Sequence, residues 1–230
     1  MHIRDLTQYL AELSENNNRA WFVMNKPRYD ILRAEFLAVV VKLIADIARF
    51  DPAVAACNPK KAMFRINRDM RFSHHKIPYK THFSAAITAS GLKKPSQGGG
   101  PAYYFHIDET GTLLIAAGEY MPPSERLRAI RRRVIDDADG FAKVLKNRTL
   151  KTSFGDLQQE GKLTRPPKGF DADATHIEYI KLKSFIVWKE IDIRKKIPAD
   201  LGKDLATAFK QSQALVTWLR GIETAPETAA

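Results

Sequence analysis

Between Phe64 and Thr81 the chain reads Phe-Arg-Ile-Asn-Arg-Asp-Met-Arg-Phe-Ser-His-His-Lys-Ile-Pro-Tyr-Lys-Thr, so Arg65, Arg68, Arg71, Lys76 and Lys80 face one acid, Asp69. Cations this close repel one another, and a fold that keeps them must offer negative charge in return. A guanidinium is a planar fork of donors that grips phosphate or carboxylate through two parallel bonds. Three forks within seven residues can surround one anion. Lys76 and Lys80 add point charge, and Asp69 orients the guanidiniums on either side of it, its own carboxyl drawn down by them. Tyr79 belongs to the same set, and Arg19 joins it from the N-terminal helices. The expected site for a small phosphate- or carboxylate-bearing ligand is therefore Arg65, Arg68, Asp69, Arg71, Lys76, Tyr79, Lys80 and Arg19.

Two other readings fit the same residues. Basic runs also serve nucleic-acid-associated proteins, and arginines also pair with carboxylates inside a fold or at a partner interface. Salt separates the first two, because many phosphate contacts give a steep fall of log affinity with log salt and one anion in a pocket gives a shallow one. Tyr104 and His106 are further candidates, since with Asp108 they share one face of an expected strand that becomes a ligand face where the sheet is open. Asp69, His75, Tyr79 and His106 are all able to move protons, but no nucleophile, base and orienting group are readable as a set. Catalytic residues are left unassigned, and the sequence does not decide whether the chain is an enzyme.

The elements that position these residues follow from hydrophobic periodicity. Alternation in Ala62, Phe64 and Ile66 and in Phe83, Ala85 and Ile87 predicts strands on either side of the basic run. Ala102 to Asp108 and Thr112 to Gly118 flank Glu109-Thr110-Gly111, a hairpin with Gly111 where a positive φ is needed. A further strand is expected around Ser184 to Ile191. Leu6, Leu10 and Leu13 predict a first helix, Asn17 or Asn18 caps a second, and Tyr29 to Ile47 forms the longest amphipathic helix with Pro27 near its start. Leu127, Ile130, Val134 and Ile135 mark the buried side of a helix whose arginines face out. Helices are also expected over 137–145 and from Pro198 to about Arg220. The architecture expected is α+β, one domain over residues 1–221, with a mainly antiparallel sheet of about five strands covered by helices and a disordered tail over 222–230.

With 44% hydrophobic residues the chain has material for a sizeable core. Cys57 is the one cysteine, which excludes an internal disulfide framework and suits a reducing, cytoplasmic setting. No metal-ligand spacing, cofactor motif, internal repeat or apolar run of membrane-spanning length occurs, so no metal, cofactor or membrane is expected. A net charge of +11 and a pI near 9.7 favour anionic partners without choosing among them. Oligomeric state is not readable.

The chain resembles a bacterial and fungal family known as the domain of unknown function 2461 family. The resemblance spans nearly the whole chain. It rests on Asn17-Asn18-Arg19-Ala20-Trp21-Phe22 with Lys26 and Tyr29, Arg65-Ile66, Arg68 to Ser73, Lys76, and Pro78-Tyr79-Lys80-Thr81. It continues through Tyr104-Phe105-His106-Ile107, Gly118-Glu119-Tyr120-Met121-Pro122, and Arg165-Pro166-Pro167-Lys168-Gly169-Phe170. This chain carries His75 where the family pattern places an acid, so the resemblance implies no metal or carboxylate role there. It implies the architecture and brings no activity or cofactor with it.

Overall fold

A computed structural model describes residues 1–69, 77–90 and 100–222. Arg71, His75 and Lys76, the glycine-rich stretch over 91–99 and the tail over 223–230 lie outside the described residues. The chain opens with α1 (Ile3–Glu15), α2 (Arg19–Met24) and α3 (Lys26–Ala48), then a 3-10 turn (Pro52–Val54) and the short α4 (Pro59–Ala62). Asn18 caps α2 by accepting from the Trp21 amide at 3.0 Å. Pro27 sits in the first turn of α3, where its missing amide donor costs nothing.

Strands β1 (His82–Thr88), β2 (Ala102–Asp108) and β3 (Thr112–Glu119) follow. Next come α5 (Ser124–Asp136), α6 (Ala138–Leu145), α7 (Arg148–Phe154) and α8 (Ile177–Ile180). The chain closes with β4 (Phe185–Asp192) and α9 (Leu201–Arg220). The fold is α+β, with one antiparallel sheet in the order β1-β2-β3-β4. Gly111 takes a φ of 77° in the β2–β3 hairpin, as its position requires.

Among the described residues the sheet has four strands, not about five. The stretch expected as an extra strand before the basic run makes only isolated bridges, Met63 to Ala85 and Asn67 to Tyr79. Phe64 N donates to Ser84 O at 2.9 Å and Lys80 N donates to Ile66 O at 2.7 Å. Arg65 alone on one side thus faces Thr81, His82 and Phe83 on the other, and this mismatch breaks the ladder like a wide bulge.

Period-two alternation gives the sheet two different faces. Phe83, Ala85, Ile87, Tyr103, Phe105, Ile107, Leu113, Ile115, Phe185 and Val187 are buried on the inner face. Helices α3 and α9 cover it: Phe36 stacks on Phe105 at 5.2 Å and meets Phe83 edge-on at 5.6 Å, while Phe209 lies 5.3 Å from Tyr103. Asp51, just after α3, accepts from both Arg220 nitrogens and from the Tyr103 hydroxyl, each at 2.8 Å, tying helix ends and sheet together. Burial raises the Asp51 carboxyl and these donors outweigh it, leaving its pKa below the ordinary value.

On α5 the arginines do not all face out. Arg131 is buried and donates to Leu182 O at 2.8 Å, and Arg126 pairs with the fully buried Glu119 and donates to Leu219 O and Ile222 O. Ile135, expected inside, is exposed instead. A buried arginine is tolerated when its donors meet carbonyls and a carboxylate, as those of Arg126 do, whereas Arg131 meets the Leu182 carbonyl and leaves its buried Nε without a partner.

Candidate functional site

The outer face of the sheet bears a cavity of about 540 Å³. Its floor is set by register. Ala86, Tyr104, Ala116 and Trp188 stand opposite one another across the strands, Ser84, His106, Leu114 and Glu190 form the next row, and Ala102, Gly118 and Ile186 a third. Phe64 walls the β1 side, Tyr120 and Met121 form the rim beyond β3, and Glu160 stands beside β4. Gln158 N donates to Ile186 O at 2.9 Å, which brings the Glu160 segment to that edge.

Polar groups are few and linked. The Tyr104 hydroxyl lies 3.1 Å from His106 Nδ1. His106 lies 5.3 Å, ring to ring, from His82 on the neighbouring strand. Burial pushes the Tyr104 hydroxyl up, and a hydrogen bond with Ser84 opposes it. Burial pushes His82 down to about 4, helped by His106, Lys80 and Arg68. Burial also lowers His106, against an upward pull from Asp108, Glu190 and Glu109. Both imidazoles are neutral at pH 7; the cations Lys80 and Arg68 act on His82, while the acids Asp108, Glu190 and Glu109 act on His106.

Two backbone features mark the cavity's β3 end. Gly118 has a φ of 124°, and a Cβ there would sit 2.2 Å from Phe185 O, so the position admits glycine alone. Met121 is a non-glycine residue at a φ of 45°, held there as its amide donates to Ser184 Oγ at 2.9 Å. Strain of this kind concentrates where a fold positions a binding group.

The sequence-predicted anion residues are dispersed across several roles. Tyr79 is buried, stacked on Phe22 at 4.1 Å, and clamped through its backbone N–H and C=O by the Asn17 side chain at 3.0 Å each. It is a packing residue that ties α2 to the basic run. Arg68 is exposed, and its Nε donates to Tyr79 O at 3.0 Å. Lys80 is half-buried with Nζ 5.2 Å above the Phe64 ring, a cation–π contact at the cavity's β1 wall. Arg65 and Asp69 are exposed on the same stretch, and Arg19 is exposed at the start of α2, whereas Trp21 is half-buried and Phe22 buried. Arg71 and Lys76 lie outside the described residues. Tyr104 and His106 line the cavity.

Two of the motifs in the resemblance therefore meet at the cavity, with Tyr104, His106, Gly118, Tyr120 and Met121 in its floor and rim, and Lys80 of a third lies against the Phe64 wall. A family model described as conserved hypothetical protein (DUF2461) matches residues 5–218. The chain belongs to the DUF2461 family. No curated protein and no solved structure matches it. The DUF2461 match covers every element that builds the cavity, from Phe64 to Glu190. Among the described residues no group of His, Cys, Asp or Glu is placed to hold a metal ion, and no helix is long and apolar enough to cross a membrane.

Sequence reasoning missed the floor. Ala86, Ala116 and Gly118 occupy outward strand positions where a solvated face would carry polar residues, and Trp188 stands in the same row. Small apolar residues at outward positions were the available signal.

Proposed function

We propose that the protein binds a small organic acid in the cavity on the open face of its sheet. The apolar body of the ligand lies on the Ala86, Ala116 and Leu114 floor, and its carboxylate or phosphate points to the β1 side, where Arg68 and Lys80 supply positive charge. Glu160 and Glu190 repel an anion from the β4 side and so orient the ligand. The observation that carries the reading is a concavity of about 540 Å³, within the usual range for small-molecule sites, with a mainly apolar floor, few polar groups, Glu160 and Glu190 on its β4 side and Lys80 against Phe64 at its β1 side. Tyr104 and His106 meet the ligand in mid-cavity, as hydrogen-bonding groups or as a proton-transferring pair. The single buried Cys57 suits a cytoplasmic setting.

The test is calorimetric titration of the full chain with organic carboxylates and phosphomonoesters, and with a short single-stranded oligonucleotide, at two salt concentrations. Expected is saturable binding of an acid with a shallow salt slope, abolished by Ala116→Trp, which fills the floor. Acid binding that survives Ala116→Trp, or binding of the oligonucleotide alone with a steep slope, contradicts the proposal and favours the nucleic-acid reading.

A further inference from the structure

We infer that the cavity takes a planar ring system, a fused-ring or aryl acid, in preference to a flexible aliphatic one; the inference rests on the cavity reading above. Tyr104 is the largest side chain in the middle of the floor, and its hydroxyl is drawn to His106 Nδ1 at 3.1 Å and to Ser84, both in the neighbouring row. On three adjacent strands around that ring, Ala86, Ala102, Ala116 and Gly118 form a patch of residues with no side chain longer than a methyl group. A plate fits such a patch. An alkyl chain is better held in a narrow channel that contacts it on all sides.

The walls match a plate as well. Trp188 continues the Ala116 row on β4, and Phe64 stands edge-on to Tyr104 with ring centroids 6.1 Å apart. Tyr120 and Met121 are large side chains each 48% exposed at the rim, Met121 on the strained backbone fixed by Ser184. Aromatic rings prefer offset or edge contacts with other rings, and a thioether adds a favourable contact at a ring edge.

The experiment compares 2-naphthoate with decanoate, acids of the same charge, by calorimetry on the full chain, with quenching of Trp188 fluorescence read as the difference from Trp188→Phe. Expected is naphthoate binding about tenfold tighter than decanoate, quenching lost in Trp188→Phe, and naphthoate affinity lost in Ala116→Leu and in Ala102→Leu while circular dichroism stays native. Decanoate binding as tightly as naphthoate, or naphthoate binding undisturbed by both leucine variants, overturns the planar-ring inference and leaves the acid-binding reading standing. Failure of both acids to bind at millimolar concentration overturns both readings.

Discussion

His82, next to the cavity residue His106 on the neighbouring strand, reports the electrostatics beside the cavity. Burial, His106, Lys80 and Arg68 hold its pKa near 4, far below the value of about 6.5 for a free imidazole. In the unfolded chain it takes up a proton as pH falls below about 6.5, while in the fold it resists until about 4. Between those values the unfolded state binds more protons, so stability must fall as pH drops through this window and be fully present above it. The expectation is an imidazole NMR titration of His82 with a midpoint near 4 and a urea midpoint that declines from about pH 6.5 downward, less steeply in His82→Gln. An ordinary midpoint for His82 would mean that water and ions reach it freely, and the β1 side of the cavity is not the closed, positive wall described here. The basic run was legible as chemistry in the sequence, but its roles were not. Tyr79 reads from the sequence as a member of the ligand set able to move a proton; the structure stacks its ring on Phe22 and holds its backbone by Asn17, a contact between residues 62 positions apart that no local pattern encodes.

Elements were read from periodicity more readily than roles were. Strands β1 to β4 fall within one residue of the pattern that predicts them, because β1, β2 and β3 bury one whole face, β4 buries it at Phe185 and Val187, and period two leaves a clear trace. The expected strand before the basic run fails because pairing depends on register across two segments, and the one-against-three mismatch around Arg65 is invisible in either alone. Helix α5 shows the same limit. Its arginine-rich sequence reads as an exposed face, whereas Arg126 and Arg131 turn inward to meet Glu119 and backbone carbonyls supplied by distant segments. Two predictions belong at this scale. Gly118→Ala should lower the thermal midpoint and disturb the β3–β4 pairing, since the added Cβ meets Phe185 O at 2.2 Å and the backbone is at a φ of 124°; an unchanged midpoint would mean the strand relaxes at no cost. Asp51→Ala should destabilise by about 3 kcal/mol in urea titration, because Tyr103 and Arg220 lose their shared carboxylate in a largely buried site. A loss below about 1 kcal/mol would show that Arg220 simply swings into solvent.

For the molecule as a whole, a net charge of +11 leads us to expect weak attraction to polyanions, independent of the cavity. That attraction should weaken steeply with salt, whereas binding of a small acid should change little, and the two are separable in one protein. The division of labour follows from the sheet: α3 and α9 bury its inner face and supply stability, and the outer face, with its small residues, floors the cavity in which we propose that the ligand binds. The overall architecture was legible because amphipathic patterns are strong over whole elements. The open face was less so, because a cavity is made by what short side chains leave empty. The most direct measurement is alanine- and leucine-methyl NMR of the full chain during titration with 2-naphthoate. The account predicts saturable shifts at Ala86, Ala102, Leu114 and Ala116 on the outer face, with Ala85, Leu113 and Ala117 on the inner face unmoved. Shifts scattered over exposed surface methyls, or none at the outer-face methyls at millimolar ligand, would contradict it.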